Sequence, residues 1–118
     1  MRIWYTNRYN FEFSQADPHR DAIRDMHMGY DWYIRQGHDD ITMENIKETH
    51  DMVYDMPLIH DELENVFEHF QGEFMTPVQR EKLLANGADH TSMSVGDIIE
   101  TKNGLFFVDC CGFVKLGE

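Results

Sequence analysis

The feature that most constrains this chain lies near its C-terminus, where Asn103-Gly104 separates two β-type segments, His90 to Glu100 and Leu105 to Leu116. An Asn-Gly pair between such segments is the strongest short-range hairpin signal, because both residues tolerate the positive φ of a tight turn. The opposite end, Arg2 to Phe13, is rich in aromatic residues and reads as a strand or a hairpin, with a break at Thr6-Asn7. Period 2 sets Tyr9, Phe11 and Phe13 on one face and Asn10 and Glu12 on the other. This strand is expected to join the C-terminal hairpin in one antiparallel sheet.

Helical patterns fill the space between. Asp17-Pro18 is an N-cap followed by a proline suited to the first helical position. Ile23, Met26, Tyr30, Tyr33 and Ile34 then recur at helical spacing up to a stop at Gly37, with Gly29 weakening the middle. A second helix is expected from a cap at Asp40 or Thr42 to about Met56, where Pro57 blocks continuation. A third runs from His60-Asp61 to Gly72 with Leu63, Val66, Phe67 and Phe70 on its apolar face. Thr76-Pro77-Val78-Gln79 forms a capping box opening a short fourth helix that carries Leu83 and Leu84 and ends at Asn86-Gly87. The order predicts an α+β domain: a small antiparallel sheet of N-terminal strand plus C-terminal hairpin, packed on one face against three to four helices.

At 118 residues the chain is expected to be a single domain over 1–118 with one core. Hydrophobic residues make up 42%, which excludes a disordered composition. No apolar run approaches the length of a membrane span, and Met1 to Tyr5 has no signal-peptide character. Cys110 and Cys111 are adjacent in a strand segment, so their side chains should face opposite ways. A disulfide between such neighbours would be strained, and reduced thiols in an intracellular protein are the simpler reading.

The charge is the strongest functional signal. Twenty-two acidic against ten basic residues give a net charge of −12, which argues against direct contact with nucleic acid and favours basic partners. On the expected second helix, Glu44, Glu48, Asp51 and Asp55 stand at i, i+4, i+7 and i+11, within an arc of about 60°. Ile46, Val53 and Met56 lie nearly opposite. Asp61, Glu64 and Glu68 continue the theme on the third helix, and Asp21, Asp25, Asp31, Asp39 and Asp40 precede it. Few have a cation at i+4, and like charges at that spacing repel. Such a row repeats every roughly 4.5–6 Å, a spacing close to that of phosphates along a nucleic-acid strand. The plainer alternative is a solvated helix face.

Residues His90, Ser92, Ser94, Val95, Gly96, Asp97, Ile98 and Ile99, followed by Asp109, Gly112, Phe113 and Leu116, resemble the C-terminal signature of the YodL-like domain. Ile3-Trp4-Tyr5-Thr6 and the helix from Leu63 to Gly72 also look like small phage proteins carrying this module. The specific part covers residues 90–116, about a quarter of the chain, and the acidic helical insertion at 15–58 has no counterpart in the pattern. The resemblance implies an accessory protein of a phage, plasmid or integrative element and supplies no active site. Gly96-Asp97 can shape a bend entering a strand, with Ser92 or Ser94 satisfying local backbone groups.

Other constellations are weaker. Seven histidines include no HExxH, and no CxxC is present, so no metal or cofactor is implied and no catalytic residue is assigned. His50 with Asp51, or His60 with Asp61 and Glu64, offers at most an adventitious metal site. The expected role is therefore inhibition of a host protein with a basic nucleic-acid-binding groove, in the bacterial cytoplasm, as in anti-CRISPR, anti-restriction or host-takeover proteins. The expected contact residues are Glu44, Glu48, Asp51, Asp55, Asp61, Glu64 and Glu68. Two alternatives come from other classes: a small enzyme using His90, Asp97 and Cys110 or Cys111, and a self-associating assembly module such as a homodimer.

Overall fold

All the described strands pair antiparallel in one five-stranded sheet, in which the N-terminal strand is second from one edge. The structure, a computed structural model, describes residues 1–6, 18–55, 63–71, 77–78, 81, 85, 92–110 and 112–117. The elements are β1 (Arg2–Thr6), α1 (Pro18–His27), α2 (Tyr30–Arg35), α3 (Met43–Thr49), β2 (His50–Asp55), α4 (Leu63–His69), β3 (Ile98–Thr101), β4 (Gly104–Asp109) and β5 (Gly112–Lys115). The strand order is β2-β1-β3-β4-β5. The α+β class expected from the sequence is therefore observed, with two more strands among the described residues than expected.

Alternation along the strands sends side chains to two faces, and both are covered. Ile3, Tyr5, Ile99 and Val108 pack with Val66 of α4 and with Phe70 just after it. Trp4, Ile98, Leu105 and Phe107 pack with Met26 of α1, Tyr33 of α2 and Ile46 of α3. The expectation of helices on one face is thus corrected. A three-stranded sheet could leave one side wet, but here β1, β3 and β4 are apolar on both sides and need two helical layers.

Two expected helices are shorter than their periodicity suggested. The first breaks at Gly29, whose φ of 109° lies in a region closed to most L-residues. A Cβ there would stand 3.1 Å from Asp109 Oδ1 and 3.3 Å from Cys110 Sγ, so the close approach of the β4–β5 turn also requires glycine. The second starts as expected, with Thr42 and Asn45 forming a reciprocal capping box. It ends at Thr49, not Met56, and His50–Asp55 becomes an edge strand paired with β1. The β-forming Val53 and Tyr54 gain the core this way, and tertiary pairing overrides helical periodicity.

The β3–β4 hairpin forms where expected, with Thr101 opposite Gly104. Its turn residues are Lys102 and Asn103, and the positive φ, 131°, falls on Gly104. Strand β4 ends at Asp109, so exposed Cys110 lies in a turn and not in the expected strand, while Cys111 is outside the described residues. Also outside are residues 7–17, His60, Asp61, Thr76, Leu83, Leu84 and His90, with the expectations placed on them. Pro77, Val78, Glu81 and Ala85 are helical, in the stretch expected to form the fourth helix.

Candidate functional site

The acidic ridge does not exist as one helical row. Glu44 and Glu48 are exposed on α3, but Asp51 and Asp55 belong to β2. A β-bulge between the registers Ile3↔Tyr54 and Trp4↔Met52 inserts Val53, which reverses the alternation. Asp51 therefore pairs with Tyr5, on the α4 side of the sheet, and Asp55 with Arg2, on the other side. Arg2 also neutralises part of this region, lying 4.0 Å from Asp55 and 3.6 Å from Glu100. Glu64 and Glu68 are exposed on α4, across the sheet from Glu44 and Glu48. Asp61 lies outside the described residues. The seven expected contact residues thus fall on two faces and an edge, because a strand replaces the second half of the expected helix.

The Gly96-Asp97 bend of the C-terminal motif is a structural device. Asp97 is fully buried, and its carboxylate accepts from the backbone N–H of Thr6 at 2.9 Å and of Ser94 at 2.8 Å. This ties the end of β1 to the entry of β3. Gly96 donates its N–H to Val108 O at 2.9 Å, and Val108 returns a bond to Asp97 O at 2.9 Å. The Gly96 carbonyl accepts from buried His50 Nε2 at 2.7 Å, and His27 Nε2 reaches Thr6 Oγ1 at 2.9 Å. Burial pushes the Asp97 carboxyl up to about 7 against the opposing bonds from Ser94 and Thr6. Burial pushes the His50 imidazole down to about 4, partly offset by its bond to Gly96. Both groups are hydrogen-bonded and closed to solvent.

A different pair, on α1 and the α2–α3 loop, opens onto a cleft. The Asp25 carboxylate is nearly buried and meets His38 Nε2 at 2.7 Å. The indole N–H of Trp32 donates to its other oxygen at 3.2 Å, and Arg24 lies 3.7 Å away. Burial alone would raise the Asp25 carboxyl, but the bonds from His38 and Trp32 and the Arg24 charge hold it below the usual carboxylate range. The His38 ring stacks on Tyr33 with centroids 4.5 Å apart and 13° between planes. A cleft of about 230 Å³ opens beside this pair, lined by Ala22, Met26, Tyr33, His38, Asp39, Asn45, Glu48 and Thr49. Glu48 is the one expected contact residue that lines it.

Sequence reasoning missed this pair, because Asp25 and His38 lie on separate elements and match no spacing motif. The signal present was an aspartate between Ile23 and Met26 on the apolar side of α1, where a carboxylate needs a partner. A second cavity, about 210 Å³, is lined by Glu64, Phe67, Val108, Asp109, Cys110, Gly112 and Phe113. Its thiol, Cys110, sits 4.0 Å from the Met28 carbonyl. Among the described residues no group of three or more His, Cys, Asp or Glu could hold a metal ion, and no helix is long and apolar enough to cross a membrane.

No protein-family model matches the chain, and no solved structure matches it. An uncharacterized protein, R785, of Acanthamoeba polyphaga mimivirus is 38% identical over 58 residues, which is 48% of this chain and 54% of the viral protein. The match thus covers about half of each chain.

Proposed function

We propose that this protein is a phage or mobile-element accessory protein that binds and inhibits a host nucleic-acid-binding protein in the bacterial cytoplasm. The contact surface is the α1–α3 side of the sheet, where α3 presents Glu44 and Glu48 beside the exposed Asp39 and Asp40 of the preceding loop. That gathering of carboxylates is the observation that carries the reading. It replaces the continuous helical row with a compact acidic patch on one helix and its leading loop. The net charge of −12 supports association with a basic surface, and the YodL-like resemblance and the partial likeness to a viral protein fit a mobile-element setting. Asp51 and Asp55 are left out of this surface, and Glu64 and Glu68 form a separate patch on α4.

The test is competition. The immobilised chain should capture a host protein that duplex DNA then releases, and Glu44→Lys combined with Glu48→Lys should abolish the capture. A captured protein that stays bound in excess duplex DNA would overturn the reading.

A further inference from the structure

We draw no further inference here: the strongest candidate, the cavity of about 210 Å³ between α4 and the β4–β5 turn that is lined by Phe67, Phe113 and the exposed thiol of Cys110, carries nothing, because nothing in the structure shows what covers it and a single thiol beside two carboxylates points to no ligand.

Discussion

Two buried aspartates, Asp97 and Asp25, are driven in opposite directions by the same fold. Asp97 is enclosed at the β1–β3 junction with backbone amides for partners, and its carboxyl is pushed up to about 7. Asp25 is less deeply buried, and His38, Trp32 and Arg24 hold it below the usual carboxylate range. Burial penalises charge at both sites, and only the second has cationic and strongly donating side chains to outweigh it. The first site ends in the core and ties strands together. The second continues through an imidazole to an open cleft. Asp97 thus organises the fold, while Asp25 sits behind an imidazole that borders a cleft.

Breaking the closed site should do the most damage. Asp97→Ala leaves the amides of Thr6 and Ser94 without acceptors and should lower stability by about 3 kcal/mol, read from the urea midpoint. Gly96→Ala adds a Cβ 3.2 Å from His27 at a φ of 98° and should lose about 2 kcal/mol in the same assay. Asp25→Asn should cost less, about 1–2 kcal/mol, since His38 can be solvated, and it should shift the Trp32 emission. Asp31→Ala removes an exposed pair with Arg35 and should change stability by only about 0.3 kcal/mol.

The closed site also makes a prediction about pH. The Asp97 carboxyl is raised from 3.8 to about 7, so its contribution is complete below 3.8 and is lost as pH rises to about 7. The His50 imidazole is lowered from 6.5 to about 4, so its contribution is complete above 6.5 and is lost as pH falls toward 4. Between these limits the two slopes oppose each other, and the unaltered protein should show little pH dependence. Asp97→Asn should leave stability rising with pH across that window, and His50→Gln should leave it falling. Chemical unfolding at a series of pH values measures both slopes.

Much of the frame was legible from residues alone. Asn103-Gly104 between two β-type runs marked the β3–β4 hairpin, Thr42 marked the start of α3, and Leu63, Val66 and Phe67 marked the inner face of α4, with Phe70 just beyond its end. Strand β2 was hidden because Glu44, Glu48, Asp51 and Asp55 hold helical spacing straight through it. What turns the chain at His50 is a partner distant in sequence, the Gly96 carbonyl, together with pairing to β1. The Asp25–His38 pair was hidden for a related reason: Gly29 separates α1 from α2, and only the resulting turn brings the imidazole back over α1. Local pattern fixes elements, whereas sites assembled across breaks depend on packing.

The most direct measurement sets the two acidic faces against each other. Partner capture by Asp39→Lys with Glu48→Lys, at the cleft, is compared with capture by Glu64→Lys with Glu68→Lys on α4, both at matched circular dichroism. Loss of capture in the first and retention in the second is the predicted result. Retention in the first, with loss in the second, would contradict the assignment of the α1–α3 side as the functional face.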